Sequence, residues 1–453
     1  MIEKNQNYIV DIVDMTHEGA GVARIDGFAV FIEGAIVGEK IRIKIVKVLK
    51  NFAYGKIEKI IEQSPERRPP TCESYKKCGG CKLQHMSYEA TLKFKRNVVK
   101  NNLQRIGKVD VEVLNTIGLD EPYAYRNKVQ FPIGDNGNEV VVGFFAERTH
   151  EIVPVTDCSI QSRIANKIII DMKNIIKKEK VSVYNETTKK GLIRHIIIRN
   201  SEKTKEVMII IVTNGERFDK KDKVIDEITT RNPEIKSIIQ NINTKVTNVI
   251  LGEKDILLYG KDRITDYIGK LKFEISAHSF FQVNSKQTEN LYNKVLEYAD
   301  LTGKETVFDL YCGTGTISLF LAQKAKKVYG VEIVKQAVED AKINAENNNI
   351  DNAEFIYGKS EEVAPQLYNK GIKADVVVID PPRSGCDSKL IDMLNKMKPR
   401  KIVYVSCNSA TLARDISFFE GYNVEKVQPV DMFSWSYHTE VVLKLELNGA
   451  FDK

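Results

Sequence analysis

The sequence predicts a multidomain protein in which an N-terminal β-barrel and a central α+β region precede a C-terminal, doubly wound α/β domain. The chain has 453 residues, which exceeds the size of one ordinary domain. Residues 1–62 contain short strand-like runs separated by turn residues, as in small barrels. After about residue 270, short apolar runs alternate with helical segments, the pattern of a parallel sheet covered by helices.

The predicted barrel is basic along its strands. Lysine and arginine recur there, at Lys40, Arg42, Lys44, Lys47 and Lys50. A small basic barrel suits single-stranded RNA, because its phosphates attract cations and its bases stack on exposed side chains. A solvated outer strand face without a ligand is the alternative interpretation of the same residues.

The central region is predicted over residues 63–265 and starts with the proline-rich linker "SPERRPP" (64–70). Strand signals dominate it, and one amphipathic helix interrupts them near 162–178. A second helix, over 88–107, is expected to pack either here or on the C-terminal domain. We place that last domain at 266–453.

Two strands of the central region combine basic residues with aromatic or apolar ones. They are "YRNKVQFPIG" (125–134) and "GLIRHIIIRN" (191–200). We interpret their faces as further contacts for unpaired RNA, made by Arg126, Lys128, Arg194, His195 and Arg199.

The composition is that of a globular protein with a small excess of positive charge. Lys and Arg number 68 and Asp and Glu 61, which gives a formal net charge of +7 and is compatible with a polyanionic partner. No apolar run approaches the roughly 20 residues of a membrane helix, and the N-terminus lacks the apolar core of a signal peptide. We therefore expect a cytoplasmic protein whose seven cysteines are reduced thiols.

Acidic residues and glycines follow the apolar runs of the C-terminal domain. The first run ends at Asp309 and leads through Gly313 and Gly315 into a helix, a turn that lets the backbone approach a ligand closely. The second ends at Glu332, whose carboxylate is suited to bind two ribose hydroxyls. Asp380 ends another strand, because two prolines then force the chain out of the sheet. The pattern resembles the fold of S-adenosyl-L-methionine (SAM) methyltransferases.

A cysteine and a glutamate near the C-terminus have the chemistry to methylate a pyrimidine carbon. Cys407 ends the run "KIVYVSC" (401–407) and is expected to face the same pocket as Asp380. Pyrimidine C5 is a poor nucleophile; a thiolate added at C6 activates it, and a base must later remove the C5 proton. Glu440, at the start of the last apolar strand, is the candidate base. Taken alone, the cysteine could equally be a buried hydrophobe and the glutamate a solvated side chain.

These motifs together resemble those of the RNA uracil-C5 methyltransferases. The resemblance spans nearly the whole chain and rests on "FFQVN" (280–284), "DLYCGTG" (309–315), "DPPR" (380–383), "SCN" (406–408) and "HTE" (438–440). It implies a TRAM domain, an OB-like barrel, at the N-terminus and a Rossmann-like SAM methyltransferase domain at the C-terminus.

The resemblance also implies roles for individual residues. Cys407 corresponds to the family's nucleophile and Glu440 to its proton acceptor. Thr316 stands where some members carry asparagine. The SAM-contacting positions of the family correspond to Gln282, Tyr311, Gly313, Glu332 and Asp380.

Four cysteines are predicted to bind a metal centre. Cys72, Cys78 and Cys81 lie close together after the linker, and Cys158 is the candidate fourth ligand. One C-x2-C pair with two outlying cysteines suits a 4Fe–4S cluster, and iron–sulfur members of the family resembled here show this spacing. Zinc and unliganded thiols are the alternatives, and His85 is expected at the surface.

The sequence therefore predicts an enzyme of the iron–sulfur branch of this family, which methylates uracil C5 in RNA with SAM and a 4Fe–4S cluster as cofactors. The barrel and the cysteine motif together favour 23S ribosomal RNA, in a single-stranded or loop region, because the target base must leave its stack. Transfer RNA is the alternative substrate. A non-catalytic iron–sulfur RNA-binding or ribosome assembly factor is the alternative from another class. We expect a monomer without a DNA or membrane partner.

Overall fold

The computed structural model describes residues 2–137, 139–155 and 157–449. Three large sheets follow one another along the chain, so each is built from one stretch of sequence. None of the helices in these ranges is long and apolar enough to cross a membrane.

The N-terminal sheet is a six-stranded barrel. Its strands are β1 (Asn7–Asp11), β2 (Asp14–Met15), β3 (Gly21–Ile25), β4 (Phe28–Ile32), β5 (Lys40–Val48) and β6 (Phe52–Glu62). Apolar and charged residues alternate, so Ile41, Ile43 and Ile45 of β5 are fully buried while their neighbours face outward. The chain bends between β1 and β2, which lets β1 pair with β5 and β2 with β3, and this closes the sheet.

The middle of the chain forms a seven-stranded sheet in the order β13-β12-β11-β10-β7-β8-β9. Its elements, after helix α1 (Tyr88–Arg105), are β7 (Lys128–Asp135), β8 (Val140–Phe145), β9 (Ile152–Pro154), α2 (Arg163–Lys178), β10 (Ile193–Asn200), β11 (Val207–Thr213), α3 (Lys221–Arg231), β12 (Ile235–Ile242) and β13 (Lys254–Gly260). One face of β10 and β11 packs on α2 and α3 and the other on the C-terminal domain. Both strands are therefore isoleucine-rich and buried along almost their whole length.

The C-terminal domain begins with a hairpin and continues as a doubly wound sheet. The hairpin is β14 (Ile264–Ile268) and β15 (Leu271–Ile275). The remaining elements are α4 (Ser285–Ala299), β16 (Thr306–Leu310), α5 (Thr316–Ala322), β17 (Lys327–Glu332), α6 (Lys335–Asn347), β18 (Ala353–Tyr357), α7 (Ser360–Asn369), β19 (Val376–Ile379), α8 (Ser388–Met397), β20 (Lys401–Ser406), α9 (Ser409–Ile416), β21 (Tyr422–Val430) and β22 (Glu440–Leu447).

The strand order of this sheet fixes where a ligand can bind. The order is β18-β17-β16-β19-β20-β22-β21, with β22 antiparallel to β20 and the first five strands parallel. Successive strands leave β16 in opposite directions, so the crevice lies at the carboxyl ends of β16 and β19. The predicted start of this domain at residue 266 falls within β14, whose buried side chains belong to the same core as the doubly wound sheet.

Helix α1 lies on the C-terminal domain although it precedes the central sheet. It contacts α9 and β21. The ammonium of Lys95, which is completely buried on this helix, forms an ion pair with the carboxylate of the equally buried Asp431. The N-terminal part of the chain is thereby joined to the segment after β21.

Candidate active site

The predicted catalytic and SAM-contacting residues all lie in one cleft at the carboxyl edge of the C-terminal sheet. The cleft has a volume of about 1160 Å³. Its wall includes Gln282, Tyr311, Gly313, Glu332, Asp380, Cys407 and Glu440. Residues that are far apart in the sequence therefore meet at the crevice that the strand order defines.

The pairing of β20 with β22 brings Cys407 and Glu440 close together. Ser406 is paired with Val441 in this antiparallel ladder. The next position on each strand is Cys407 on one side and Glu440 on the other, so the two residues are cross-strand neighbours beyond the last pair. Cys407 is partly buried and Glu440 is 5% exposed.

The titration of these two side chains depends on burial and on their charged neighbours. Burial raises the pKa of the Cys407 thiol; the carboxylates of Glu440 and Asp380 add to this, and the guanidinium of Arg383 opposes it. Burial also raises the pKa of Glu440 to about 7, again opposed by Arg383. The pKa of Asp380 is raised well above its usual value by burial and by the nearby Glu440 and Asp309. Arg383, the residue after the double proline, is thus the cation that opposes the rise in pKa at both Cys407 and Glu440.

The turn after β16 leaves room for a ligand next to the backbone. Gly313 has a φ of +55°, and a Cβ there would meet nothing within 4 Å. Gly315 has a φ of +78°, and a Cβ there would lie 2.8 Å from the ring of Phe355. Glycine is therefore required at the second position for packing, while the first faces the open cleft. Tyr311 also has a positive φ, of 69°, a strained backbone conformation that is typical of functional turns.

The cleft fits SAM by shape and by charge. The carboxylate of Glu332 accepts hydrogen bonds from the amides of Gly313 (3.0 Å) and Val334 (2.8 Å), which fix it at the end of β17. Ile333 and Val334 line the cleft beside it and are about half exposed, as suits an adenine ring. Asp309 lies beneath the turn, where one carboxylate oxygen has no hydrogen-bond partner among the described residues. A bound cationic group would favour the ionised forms of Asp309 and Asp380, whose pKa values are raised by burial.

The four cysteines predicted to bind metal line a second cavity, of about 350 Å³. Burial raises the pKa of Cys78 and Cys158, and it raises the pKa of Cys81 to about 12. Within the described ranges, no three His, Cys, Asp or Glu side chains are arranged to hold a single metal ion. The cavity nevertheless brings Cys72, Cys78, Cys81 and Cys158, from two distant parts of the chain, to one place.

Cationic side chains occupy the wall opposite these thiols. Arg126 and Lys128 line the cavity, and Arg199 is the cross-strand partner of Lys128. Burial, together with the neighbouring Arg199 and Arg126, lowers the pKa of Lys128 to about 7. No acidic residue contributes to the pKa of Lys128 or Arg199. Arg126 and Lys128 thus share the cavity with the four thiols.

Three of the residues interpreted from the sequence as RNA contacts are buried. Arg194, His195 and Arg199 are 5%, 8% and 4% exposed. Arg194 donates to the carbonyls of Asn243 and Lys245, and Arg199 donates to those of Ala277 and Ser279. The interpretation is wrong for these side chains, because β10 is covered on both faces and its cations satisfy backbone carbonyls instead.

His85 is also buried rather than at the surface. It is 4% exposed, and its Nδ1 lies 2.6 Å from the hydroxyl oxygen of Tyr75. Burial lowers its pKa to about 4, so the ring is neutral at pH 7. The segment between the linker and α1 is therefore folded inward around the cysteines.

Sequence reasoning assigned no role to the loop between β21 and β22. This loop, residues 431–439, contributes Phe433 and His438 to the wall of the cleft beside Glu440. Lys95 holds it through Asp431 and through the carbonyl of Phe433. A lysine in a helix carries no sequence signal that it is buried, so only the structure identifies this anchor.

The fold, the cleft and its residues define a SAM-dependent RNA methyltransferase, and two family profiles make this specific. The profile described as tRNA (Uracil-5-)-methyltransferase matches residues 87–447, and that of the TRAM domain matches residues 3–57. The chain therefore belongs to the tRNA (uracil-5-)-methyltransferase family and begins with a TRAM domain. The family predicted from the sequence motifs is confirmed.

Similar proteins agree with this assignment. The chain is 53% identical to an RNA methyltransferase of Clostridium tetani, over 99% of this chain and 98% of that protein. It is 50% identical to an RNA methyltransferase of Caldanaerobacter subterraneus subsp. tengcongensis, over 98% and 99%. Among solved structures, it resembles the tRNA (uracil-54, C5)-methyltransferase of Pyrococcus abyssi in complex with S-adenosyl-L-homocysteine. The TM-score is 0.79 at 30% identity, over 97% of this chain and 100% of that one.

Proposed function

We propose that the protein methylates uracil C5 in RNA with Cys407 as nucleophile and Glu440 as base. The observation that carries this proposal is the pairing of β20 with β22, which makes the thiol and the carboxylate cross-strand neighbours in the cleft. Their roles are complementary: the addition needs a thiolate and the elimination needs a carboxylate.

The chemistry of the chain's own groups proceeds in two stages. The Cys407 thiolate forms a bond to uracil C6, and the electron pair of the C5–C6 double bond moves toward C5 and O4. SAM, when bound, would supply an electrophilic methyl group: C5 bonds to the methyl carbon as the methyl–sulfonium bond breaks, and S-adenosyl-L-homocysteine is the leaving group. Glu440 then takes the proton from C5, the double bond re-forms, and the C6–sulfur bond breaks to release the thiolate. The pKa of about 7 allows Glu440 to accept this proton near neutral pH.

SAM would be held by residues at the ends of β16 and β17. Glu332 would accept hydrogen bonds from the ribose hydroxyls, and the turn at Gly313 would place backbone amides against the amino-acid part. The hydroxyl oxygens of Thr316 and Tyr292 lie 2.8 Å apart at the cleft wall, so Thr316 presents a polar group where other members carry asparagine.

The cysteine cavity would hold a 4Fe–4S cluster. One C-x2-C pair with two outlying cysteines suits such a cluster better than it suits zinc, which is commonly bound by paired C-x2-C elements. Metal–thiolate centres are anionic, which matches Arg126 and Lys128 on the opposite wall. The role of the cluster would be structural, because the proposed methyl transfer needs no electron transfer.

An assay of iron and acid-labile sulfide in anaerobically purified protein tests the metal centre. We expect about four of each per chain, as a 4Fe–4S cluster requires, and a loss of both in Cys78→Ser. Stoichiometric zinc without iron would refute the cluster.

The outer face of the TRAM domain provides a surface for RNA. The rings of Phe31, Phe52 and Tyr54 contact one another there, with centroids 5.1 to 6.3 Å apart. Lys47 is paired with Tyr54, and Lys44 with Lys56 two positions along β6. Exposed rings beside lysines suit stacked bases and phosphates of an unpaired strand.

We propose 23S ribosomal RNA as the substrate, on the basis of the TRAM domain together with the cysteine cavity. Transfer RNA is the second candidate, which the resemblance to the Pyrococcus abyssi enzyme favours. Mass-spectrometric mapping of 5-methyluridine in both RNA classes, from cells with and without the gene, separates the two. Loss of a 23S site supports the first and loss of a tRNA site the second. Unchanged 5-methyluridine in all RNA would refute the proposed function.

A further inference from the structure

The loop that leads into Glu440 contains a buried residue in a strained backbone conformation. Trp435 has a φ of +68°, which L side chains rarely adopt, and is 4% exposed. It lies five positions before Glu440. Such a conformation persists only where the surroundings hold it.

The carbonyl of Trp435 is held by the cysteine-bearing turn. It accepts hydrogen bonds from the backbone amides of Lys82 and Leu83, both at 2.9 Å. These two residues directly follow Cys81. The only covalent route between the turn and the loop is more than 300 residues long, whereas the contact in space is direct.

The side chain of Trp435 is fixed by the same part of the chain. Its indole nitrogen donates to the carbonyl of Pro122 at 2.9 Å. Its ring stacks on Tyr123 with centroids 5.2 Å apart and lies 5.4 Å from that of Tyr88. The contacts that maintain the strained residue thus come from residues 82–123, outside the C-terminal domain.

The residues before Trp435 are anchored in the same way. The ammonium of Lys95 donates to the carbonyl of Phe433, and the hydroxyl of Tyr125 donates to the carbonyl of Ser434 at 3.1 Å. Asp431 accepts hydrogen bonds from Tyr88 and Ser434 in addition to Lys95. The loop therefore has little freedom while these partners are folded.

We propose that Trp435 is a positioning residue for Glu440 and that the turn from Cys78 to His85 holds Trp435 in its working conformation. The cysteine centre then affects catalysis without contacting the substrate. It keeps the turn folded, the folded turn holds the loop at residues 431–439, and the loop determines the position of the Glu440 carboxylate. This inference rests on the proposed function, because it assigns Glu440 to the elimination step.

If the loop loses these contacts, we expect the elimination step to slow while the addition step continues. A base displaced by about 1 Å can cost about 100-fold in rate. Addition of Cys407 to C6 depends on β20, which its pairing with β19 and β22 holds in the sheet, so this step continues. Trp435→Ala should therefore slow elimination about 100-fold, and the covalent protein–RNA intermediate should accumulate during turnover.

The test compares Trp435→Ala with Tyr422→Ala, a matched control at the far end of β21 whose hydroxyl donates to the carbonyl of Pro399 at 2.7 Å. Reactions are quenched at short times, and the covalent protein–RNA intermediate is quantified on a denaturing gel. Its formation gives the rate of addition and its decay the rate of elimination. We expect accumulation in Trp435→Ala and none in Tyr422→Ala, with the SAM dissociation constant changed less than about twofold in both. If Trp435→Ala does not fold, Trp435→Phe, which loses the indole N–H and one of the two fused rings, should also slow elimination more than addition, but to a smaller extent.

Hydrogen–deuterium exchange tests the second part of the proposal. In full-length Cys81→Ser, the amides of residues 431–439 should lose protection while those of β16 and β17 keep it. Unchanged protection of the loop, or equal slowing of addition and elimination in Trp435→Ala, would overturn the inference. A wild-type enzyme that forms no covalent intermediate with RNA would instead refute the proposed function.

Discussion

At the scale of single residues, the two side chains proposed as nucleophile and base differ in their exposure to solvent and in their charged neighbours. Cys407 is partly exposed and lies beside Arg383, whereas Glu440 is almost completely buried. The sequence predicted that Cys407 shares a pocket with Asp380, because the carboxyl ends of parallel strands meet at one edge. Glu440 begins a strand that is antiparallel to β20, so its place there was predicted by the family motif alone. The motifs could not indicate that Arg383 opposes the rise in pKa at both Cys407 and Glu440, since that depends on the path of the chain after the double proline.

Glu440→Gln should block the second stage and leave the first intact. The amide cannot accept the C5 proton, so turnover should fall about 10²–10⁴-fold, the usual contribution of a general base. A covalent protein–RNA intermediate should then be visible on a denaturing gel. Glu425→Gln, an exposed change on β21, is the control. Loss of turnover without an intermediate would indicate that Glu440 acts earlier than elimination.

The rate of elimination should rise with pH through about 7. Glu440 works as a base only when ionised, and its pKa of about 7 makes the ionised fraction grow across this range. The raised pKa of Cys407 means that its thiolate fraction also grows as the pH increases. Single-turnover measurements between about pH 5.5 and 9 check this. A rate that falls as the pH increases through 7 would contradict the assignment.

At the scale of elements, the apolar runs predicted strands β16, β17, β19 and β20, and periodic patterns near 162–178 and over 88–107 predicted helices α2 and α1. Between the runs after residue 270, helical segments were predicted that include α4, α5, α6 and α8. Helices α3, α7 and α9 and strand β18 were not predicted. Helix α3 is short and mostly charged, and its three buried side chains, Val224, Ile225 and Ile228, leave a weak periodic signal. Helix α9 begins at Ser409, two residues after Cys407, so no turn or linker pattern in the sequence separates it from the preceding strand. The burial of Arg199 depends on both faces of β10 being covered, which no local pattern encodes.

The ion pair between Lys95 of α1 and Asp431 of the loop between β21 and β22 should contribute strongly to the stability of the fold. Both side chains are completely buried, so Lys95→Met leaves Asp431 without its cation. We expect a loss of about 3–5 kcal/mol in the free energy of unfolding, measured by urea denaturation. Lys93→Met, on the exposed face of the same helix, should cost less than about 0.5 kcal/mol. Equal effects of the two changes would contradict the anchoring role of Lys95.

At the scale of the whole molecule, segments from distant parts of the chain meet beside the cleft. The cysteine turn and α1 contact the loop between β21 and β22, whereas the TRAM domain presents a separate aromatic and basic face. The order of these parts could be predicted from the sequence. Their mutual contacts could not, since helix α1 and the turn before it cross over to the last strands.

The aromatic face of the TRAM domain should affect RNA affinity and not chemistry. Tyr54→Ala removes a stacking surface, so the dissociation constant for a long RNA substrate should rise about 5- to 150-fold, as for loss of one stacked base. Tyr259→Ala is a matched control, since Tyr259 is 41% exposed against 42% for Tyr54 but lies on the central sheet. Filter binding and kcat measurements separate the two effects. An unchanged affinity would rule out this face as an RNA contact.

The most direct test of the central claim is to trap the enzyme on RNA that contains 5-fluorouridine. Fluorine at C5 cannot be removed as a proton, so the elimination step is blocked and the cysteine stays bonded to C6. Digestion and mass spectrometry should find a methylated fluorouridine nucleotide attached to Cys407, and Cys407→Ala should form no such product. A nucleotide attached to another residue, or methylated RNA released without any covalent intermediate, would contradict the proposed mechanism.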